Sequence, residues 1–369
     1  MATEILATAD NHIGFRQYGL KKREKDIENS FKKILELGVE RNVSAITVSG
    51  DILHSIRPTA ATVSFFKECN EYLTQNKLPC LVSIGNHDQS SPHWLRNIEN
   101  SEKAGFIVLD NEAFDVDGVK VYGNTFTSRE EFNLGAHLPK DVDLLLLHQP
   151  FDEFATFPND KLFNCDDLVK IPASVAVVGD VHVHREFMCT NEDSGHQVRV
   201  LSPGSSELMS ESEQSDKYVL SIKFEDGEDP SITSLPLETR EILRLEIREE
   251  KDMETCIGYI KEKENAEPLV FLKFSTNVEN VMSRLRTVFD PSSVIIRPRP
   301  IIEYNGVELD RNESEAEITY AEVLAGMLPT NSKLYATTSR LLDSEADVHS
   351  ILEDFISERT EELKSASDS

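Results

Sequence analysis

Residues 175–184 have the sequence Val-Ala-Val-Val-Gly-Asp-Val-His-Val-His. The apolar run that opens this stretch is typical of a strand buried on both faces of a sheet. Three side chains that can bind a metal or carry a proton follow it directly, namely Asp180, His182 and His184. Because ligands collect outside the carboxyl ends of strands in α/β sheets, the stretch predicts an α/β fold with a functional site at a sheet edge.

Four more strand-like runs end on side chains of the same kind. They are 5–9 before Asp10 and His12, 45–49 before Asp51, 81–84 before Asn86, His87 and Asp88, and 144–147 before His148. Amphipathic helices are predicted between the first three runs, at 26–41 and 59–75. This order implies parallel strands joined by right-handed crossovers, and we expect the run before His148 to resume the same sheet. All these strand ends should therefore meet at one edge.

The rest of the chain divides into regions of different pattern. Short strands predicted at 185–190, 197–202 and 217–224 indicate a second sheet with antiparallel strands. From residue 239 a β-α-β-α-β unit follows without polar side chains at its strand ends, which predicts a small α+β cap. The predicted organisation is a main domain at 1–238, a capping domain at 239–300, an acidic linker at 301–318 and a helical C-terminal region at 319–369.

The C-terminal region carries an apolar stripe at helical spacing. Its members are Val348, Ile351, Leu352, Phe355 and Ile356. The stripe either binds a partner protein or docks on the body of this chain, and the sequence leaves both alternatives open.

The charge of the chain limits how it can bind nucleic acid. The 369 residues include 38 Lys and Arg against 66 Asp and Glu, a formal net charge of −28. This balance argues against bulk electrostatic binding of DNA, although bound divalent metals would offset the field locally. Basic islands at 21–25 and 297–299 are predicted to be solvated surface rather than phosphate contacts.

Hydrophobic content and cysteine usage indicate the kind of compartment. Hydrophobic residues make up 39% of the chain, and no apolar run approaches the roughly 20 residues of a membrane helix. The first residues lack the basic region of a signal peptide, so we expect a cytoplasmic protein without membrane contact. The five cysteines are scattered and form no Cys-x-x-Cys pair. They are therefore predicted to be buried thiols rather than a disulfide framework or a zinc ribbon.

Histidines are concentrated at the predicted strand ends. Six of the ten lie there: His12, His54, His87, His148, His182 and His184. One such histidine would more often be structural, but six together indicate a site. His, Asp and Asn ligands without Cys suit manganese, iron or zinc. A site this rich can hold two ions that share a carboxylate, the arrangement that serves in-line phosphoryl displacement.

The strand ends also form a recognisable series of motifs. The series is Asp10-x-His12, Gly50-Asp51, Gly85-Asn86-His87-Asp88, His148 and Gly179-Asp180-x-His182. It resembles that of the calcineurin-like metallophosphoesterases, which implies a two-sheet sandwich flanked by helices. Further stretches resemble the SbcD-type double-strand-break repair nucleases, particularly the recombination endonuclease subunits of bacteriophages. These are His12-Ile-Gly-Phe-Arg-Gln-Tyr18, Gly50-Asp-Ile-Leu-His54, Leu147-His-Gln-Pro150 and Pro203-Gly-Ser205, so the resemblance covers residues 1–225.

The resemblance implies two divalent ions, of which manganese is the expected kind. The ligands would be Asp10, His12 and the last motif's histidine for one ion, Asn86 and His148 for the other, and Asp51 between them. His87 would protonate the leaving 3′ oxygen, with Asp88 orienting it. His54 would help to place the phosphate, or would only pack behind the site.

The last motif departs from the family pattern, which is Gly-His-x-His. If Gly179 fixes the register, Asp180 replaces the first histidine and His182 is the second. A shift of two residues would instead make His182 and His184 the pair. We favour the first alternative because a glycine turn lets the backbone approach the metals.

The resemblance also implies a function and partners. The expected activity is that of a manganese-dependent DNA exonuclease and endonuclease in end processing, repair and recombination. Its substrates would be double-stranded ends and single-stranded or hairpin DNA, and it would act as a homodimer in a heterotetramer with an SbcC-type coiled-coil ABC ATPase. A two-metal phosphatase of small esters or phosphoproteins is the alternative. A non-catalytic scaffold is disfavoured because no metal ligand is plainly missing.

Overall fold

A computed structural model describes residues 2–90, 93–98, 104–129, 141–154, 162–301, 303–304 and 307–308. The strands are β1 Thr3–Thr8, β2 Ala45–Ser49, β3 Pro79–Ser83, β4 Gly105–Leu109, β5 Glu112–Val116, β6 Val119–Gly123, β7 Leu144–His148, β8 Val175–Gly179, β9 Arg185–Thr190, β10 Gln197–Ser202, β11 Lys217–Phe224, β12 Ser231–Leu237, β13 Ile242–Ile247, β14 Leu269–Ser275, β15 Ile295–Ile301, β16 Glu303–Tyr304 and β17 Val307–Glu308. The helices are α1 Lys21–Glu40, α2 Ala60–Gln75, α3 Cys165–Leu168, α4 Glu250–Lys263 and α5 Val281–Val288.

Two mixed six-stranded sheets with flanking helices form the main part of the molecule. The first has the order β12-β11-β1-β2-β3-β4 and the second the order β5-β6-β7-β8-β10-β9. Strands β1 to β4 run parallel, as do β6, β7, β8 and β10. The predicted two-sheet α/β sandwich is therefore confirmed.

Two details of the predicted topology are wrong. The strand predicted at 217–224 is β11, which pairs antiparallel with β1 in the first sheet and does not join β9 and β10 in the second. The run before His148 does not resume the first sheet, because β7 and β8 belong to the second. The chain passes from the first sheet to the second between β4 and β5, and the β5–β6 hairpin already belongs to the second sheet. The site is thus built from the strand ends of two sheets rather than along the edge of one.

The apolar runs divide their side chains between two cores. In β1, Leu6 packs with the helix layer, where the α1 residues Ile27 and Phe31 are fully buried. Its neighbours Ile5 and Ala7 face the core between the two sheets. Because successive side chains of a strand point to opposite faces, a strand with both faces covered must be apolar throughout. The helix predicted at 26–41 is confirmed with an earlier start, and the one predicted at 59–75 begins one residue later, at Ala60, after Thr59 as its N-cap.

The earlier start of α1 includes Arg23, which belongs to a basic island predicted to be solvated. That prediction is wrong for Arg23, whose side chain is fully buried. It donates hydrogen bonds to Gln17 Oε1 at 2.8 Å, Asp26 Oδ2 at 2.7 Å and Glu207 Oε1 at 3.2 Å. A buried guanidinium is tolerated only when its charge and its N–H groups are matched in this way.

The prediction of five thiols is also wrong, because Cys165 and Cys189 form a disulfide. The two residues are 24 positions apart in sequence, yet α3 lies against the edge strand β9 with the two Cα atoms 5.0 Å apart. No sequence spacing reveals this proximity, since it depends on how the 162–171 segment packs. Cys69, Cys80 and Cys256 are buried free thiols.

Residues 242–301 form the predicted β-α-β-α-β unit. Strands β13, β14 and β15 make a separate sheet, and α4 and α5 pack on it around Met253, Ile260 and Leu285. Met1–Arg299 nevertheless form one compact unit. Phe271 and Ile295 of the cap share a small core with Leu208 of the main part.

The remaining predictions fall largely outside the described residues. In the second unit, Pro300–Ser369, β16 and β17 pair as a short antiparallel ribbon. The helical C-terminal region at 319–369 and its apolar stripe lie outside the described residues. Among the helices that the structure does describe, none is both long and apolar enough to cross a membrane.

Candidate metal centre

The side chains predicted from the strand ends converge at one end of the sandwich. Asp10 and Asp51 each follow a strand by two residues, His148 is the last residue of β7, and Asp180 follows β8 directly. Asp10, Asp51 and Asp180 have left-handed backbones, with φ of 51°, 51° and 77°, and His12 has φ of 47°. Such strained conformations are retained where the surrounding structure over-determines them, and they cluster at functional sites.

The deepest group consists of Asp10, Asp51 and His148, all buried. His148 Nδ1 donates to the carbonyl oxygen of Ser49 at 2.9 Å, which leaves Nε2 facing Asp51 Oδ2 at 3.4 Å. The amide of Asn86 also lies against this nitrogen, at 3.0 Å. Burial opposes a charge on His148, but Asp51 and Asp10 outweigh it and raise the pKa to about 10. The pocket therefore favours a cation at this position, and a metal ion would displace the proton.

A second group contains Asp10, His12 and His182. The Nε2 atoms of the two histidines lie 3.3 Å apart, and His182 Nε2 is 3.8 Å from Asp10 Oδ1. Burial lowers the pKa of His12 to about 3, so its ring is neutral and carries a lone pair. Burial also raises the pKa of Asp10 to about 6. Asp10 Oδ2 is buried without a hydrogen-bond partner, and convergent ring nitrogens beside an orphaned carboxylate oxygen fit a divalent ion.

A third group, His12, His54 and His87, lies nearer the surface. The backbone N–H of His87 donates to Asp51 Oδ1 at 2.9 Å, and its Nδ1 is 3.0 Å from the carbonyl oxygen of His54. The side chain of His87 is 41% exposed, so its Nε2 side can meet a ligand. His54 stacks on Phe15 with ring centroids 4.2 Å apart, and burial followed by the charge of His87 lowers its pKa.

The structure gives Asp88 a role other than the predicted orientation of His87. Its carboxylate is fully buried and accepts hydrogen bonds from the backbone N–H groups of Ile52, Leu53 and Gly85. Burial first, and then the charge of Asp51, raise its pKa to about 7. Asp88 therefore ties the turn after β2 to the turn after β3, and so fixes the positions of Asp51 and Asn86.

Comparison with known proteins agrees with this geometry. Residues 3–184 match the sequence pattern of the family described as calcineurin-like phosphoesterase. These residues are a calcineurin-like phosphoesterase domain.

Curated relatives of the chain are named DNA double-strand break repair protein Mre11. The protein of Methanosarcina mazei is 26% identical over 76% of this chain and 46% of its own length, so this chain spans about half of that relative. The protein of Sulfolobus acidocaldarius is 25% identical, over 78% of this chain and 80% of the relative. That of Methanococcus maripaludis is 24% identical over 93% and 96%.

Solved structures of similar fold include two phosphatases. A dimetal phosphatase from Danio rerio matches with a TM-score of 0.38 and 10% identity, over 63% of this chain and 98% of its own. A purple acid phosphatase from yellow lupin matches with a TM-score of 0.37 and 13% identity, over 63% and 54%.

Within the phosphoesterase domain, Gly179 of the last motif lies close to the end of β2. A Cβ at Gly179 would lie 2.1 Å from the carbonyl oxygen of Ser49, so only glycine fits this close approach. Asp180 Oδ1 is 3.9 Å from His148 Nε2, and the Asp180 N–H donates to Asp10 at 3.1 Å.

His184, by contrast, lies outside the three groups found among the described residues. Its Nε2 is 3.0 Å from Ser234 Oγ, and its ring packs on Tyr218 with centroids 4.5 Å apart. The geometry thus brings Asp180 to the phosphoesterase site, whereas His184 packs against β11 and β12.

The sequence gives no sign of one further residue of the site, Glu213. Its Oε1 accepts a hydrogen bond from His182 Nδ1 at 2.8 Å, although it lies 31 residues further along the chain. Burial alone would raise its pKa, but the hydrogen bond with His182 and the charge of Lys217 hold it at about 2. No motif marks Glu213, because it lies on an irregular segment between β10 and β11.

An open cleft of about 340 Å³ gives access to these groups. Its lining residues come from the turns after β1, β2, β3 and β8 and from the segment with Glu213: His12, Phe15, Asp51, His54, Asn86, His87, Asp180, His182, Met209, Ser210 and Glu213. The cleft therefore exposes the carboxylates and imidazoles to a ligand at one face while the opposite face stays buried.

Proposed function

We propose that this protein is a metal-dependent DNA nuclease that processes DNA ends in double-strand-break repair and recombination. The observation that carries the proposal is the length over which it resembles the repair proteins named Mre11. The Methanococcus maripaludis relative aligns with 93% of the chain, well beyond residues 3–184 of the phosphoesterase domain and through the cap. A phosphatase needs the same metal centre but not this cap.

The proposed ligands are the side chains of the two deeper groups. They are Asp10, His12 and His182 around one ion, Asn86 and His148 around the other, Asp51 between the two, and Asp180 beside Asp51 and His148. His184 is left out, because its contacts are with Ser234 and Tyr218. When bound, two divalent ions supply a phosphate clamp and an activated water. Borderline nitrogen and oxygen donors of this kind suit manganese.

The proposed roles of His87 and His54 follow from their place at the cleft. With its Nδ1 held by the carbonyl oxygen of His54, His87 can carry a second proton on Nε2 and deliver it to the leaving 3′ oxygen. The half-buried ring of His54 stacks with that of His87, with centroids 5.5 Å apart. We propose that His54 limits how His87 can turn and borders the place of the phosphate.

We also propose an SbcC-type coiled-coil ABC ATPase as the partner, with two copies of this chain in a heterotetramer. Support comes from the resemblance and from the apolar stripe at 348–356. An apolar stripe at helical spacing, as the sequence has it, suits binding in an apolar groove. The DNA substrates proposed are double-stranded ends and single-stranded or hairpin DNA.

A direct assay tests the nuclease against the phosphatase alternative. Purified protein with Mn²⁺ is offered linear DNA, a phosphodiester such as bis(p-nitrophenyl) phosphate and the monoester p-nitrophenyl phosphate. We expect cleavage of DNA and of the diester, with little hydrolysis of the monoester. Rapid hydrolysis of the monoester with DNA left intact would instead favour a phosphatase.

Asp51→Ala is the matched inactive variant for this assay. Asp51 Oδ2 lies within 3.4–4.0 Å of His148, His12 and His87. Its loss should abolish hydrolysis with any metal, because the carboxylate shared by the two ions is removed. Appreciable nuclease activity in this variant would contradict a two-metal site built on Asp51.

A further inference from the structure

The two carboxylate oxygens of Glu213 accept hydrogen bonds from different groups. Oε1 accepts only from His182 Nδ1, at 2.8 Å. Oε2 accepts from Lys217 Nζ at 2.7 Å, Ser205 Oγ at 2.9 Å and the backbone N–H of Met209 at 3.1 Å. The charge of Lys217 compensates the buried carboxylate, and three donors fix its orientation.

The segment that carries Glu213 is itself held in place from two sides. From the main domain, Gln17 Nε2 donates to Met209 O at 2.7 Å and Arg23 Nη2 donates to Leu208 O at 3.0 Å. From the cap, Arg244 Nη2 donates to the carbonyl oxygen of Glu213 itself at 2.8 Å. These contacts fix the backbone of the segment, so the carboxylate can turn away from His182 only by breaking the hydrogen bonds of Oε2.

We propose that Glu213 is a positioning residue, which fixes His182 in the tautomer with its proton on Nδ1. Only that tautomer leaves a lone pair on Nε2, the atom that points toward Asp10 and His12. The inference rests on the proposed metal-dependent function and adds a residue to it. Carboxylates that accept from the far nitrogen of a ligating histidine fix its ring and raise its basicity.

The isosteric change Glu213→Gln isolates this role. Three donors face the Oε2 position, so the amide oxygen of glutamine must turn toward them. Its NH₂ group then faces His182 Nδ1, which has to accept a hydrogen bond. The ring proton moves to Nε2 and blocks the ligand position, while the shape of the site stays the same.

The matched control is Glu207→Gln. Glu207 lies in the same segment and is also buried, and its Oε1 accepts from Arg23 Nη2 and from the N–H of Leu208. It has no hydrogen bond with His182. Any effect that follows from loosening the segment should appear in both variants, whereas a change in the His182 tautomer should appear only in Glu213→Gln.

Two measurements on the full chain test the inference. In ¹⁵N-histidine-labelled metal-free protein at alkaline pH, NMR should show the His182 proton on Nδ1 in wild type and in Glu207→Gln, and on Nε2 in Glu213→Gln. A His182→Ala sample assigns the signals. Calorimetric titration with Mn²⁺ should show about 10- to 100-fold weaker binding of one ion in Glu213→Gln alone.

The outcomes separate this inference from the proposed function. An unchanged tautomer, or equal Mn²⁺ affinity in Glu213→Gln and wild type, would overturn the role of Glu213 even if DNA is cleaved. Equal losses in both variants would mean that the segment matters only for folding, which also overturns it. If wild-type protein binds Mn²⁺ as expected but cleaves no DNA, the proposed function fails while the role of Glu213 stands.

Discussion

His87 and its neighbour Asn86 differ in what they can do, although they are adjacent. Both residues line the cleft, but the amide of Asn86 contacts the buried His148, whereas Nδ1 of His87 is held by the carbonyl oxygen of His54. His87→Ala should therefore still bind two Mn²⁺ ions but lose about 10²–10⁴-fold in turnover, the usual contribution of a positioned general acid. Calorimetry and steady-state kinetics on DNA measure the two effects.

His196→Ala is the control for that variant. His196 Nε2 bonds the carbonyl oxygen of Ile171, and His196 does not belong to any of the three metal-ligand groups found among the described residues. Its loss should leave both binding and turnover unchanged. If the number of bound ions falls in His87→Ala, the group of His12, His54 and His87 holds a metal and His87 is a ligand rather than an acid.

Asp180 and His184 provide a matched pair for the register of the last motif. Asp180 lies beside the buried group, so Asp180→Ala should weaken Mn²⁺ binding by opening a coordination position. His184→Ala should leave Mn²⁺ affinity near wild type and lower stability slightly, because the contact with Tyr218 is lost. Calorimetric titration with Mn²⁺ compares the affinities of the two variants. Weaker binding in His184→Ala than in Asp180→Ala would mean that His182 and His184 are the ligand pair.

Sequence patterns predicted which candidate ligands lie at strand ends, but they did not predict the hydrogen bonds that hold those side chains in place. Every predicted ligand follows an apolar run, and the carboxyl end of a strand is visible in a single stretch of sequence. The hydrogen bond from His182 to Glu213 joins residues of two separate segments, and no spacing rule predicts it. Asp88 was predicted to orient His87. Its carboxylate oxygens instead accept hydrogen bonds from backbone N–H groups of two turns.

At the level of elements, the turn after β2 depends on the absence of a side chain at Gly50. Its φ is 78°, and a Cβ there would lie 2.3 Å from the ring of His148. Gly50→Ala should lower the free energy of unfolding by about 2–4 kcal/mol, since backbone strain and overpacking both contribute. It should also weaken Mn²⁺ binding by displacing His148.

Gly195→Ala separates the effect of backbone strain from that of overpacking. Gly195 has a similar φ of 72°, but nothing lies within 4 Å of a Cβ built there. This variant should lose only about 1–2 kcal/mol, the cost of a left-handed backbone for an L-residue. Denaturant unfolding of both variants gives the difference, and equal losses would mean that the approach of β2 to His148 is not tight.

The order of helices and strands was predictable from the periodicity of apolar residues. The sheet to which each strand belongs was not. Buried strands are apolar throughout in both sheets. The sequence therefore could not show that β7 and β8 belong to a different sheet from β1 to β3. The change of sheet takes place between β4 and β5, and it depends on how the two layers pack together rather than on the local sequence. The Cys165–Cys189 disulfide escaped prediction because it too depends on packing between layers.

At the scale of the whole molecule, three basic residues join the cap to the main domain. Arg240 forms two hydrogen bonds of 2.6 Å with the carboxylate of Asp26, and Lys22 bonds Glu267 across the same boundary at 2.6 Å. Arg297 lies over the ring of Tyr18 at 3.9 Å. The net charge of −28 argues against bulk electrostatic binding of DNA. The proposed DNA binding would therefore depend on the metal centre and on partner proteins.

The proposed partner site is tested by placing charges on the apolar stripe. Ile351→Glu together with Phe355→Glu puts two carboxylates where anchors at i and i+4 would enter a groove. Burying unpaired charges costs on the order of several kcal/mol, so the double variant should fail to co-purify with the ATPase. Hydrolysis of bis(p-nitrophenyl) phosphate should remain at the wild-type rate, because the metal centre lies within residues 10–213.

Ser350→Glu together with Ser357→Glu is the matched control for the stripe. On a helix these two positions lie on the face opposite the stripe, and the two changes add the same charge. This control should bind the ATPase like wild type. Loss of binding in both variants would indicate a general charge effect. Full binding by Ile351→Glu with Phe355→Glu would mean that the stripe docks on the body of this chain, and that the partner is held at another surface.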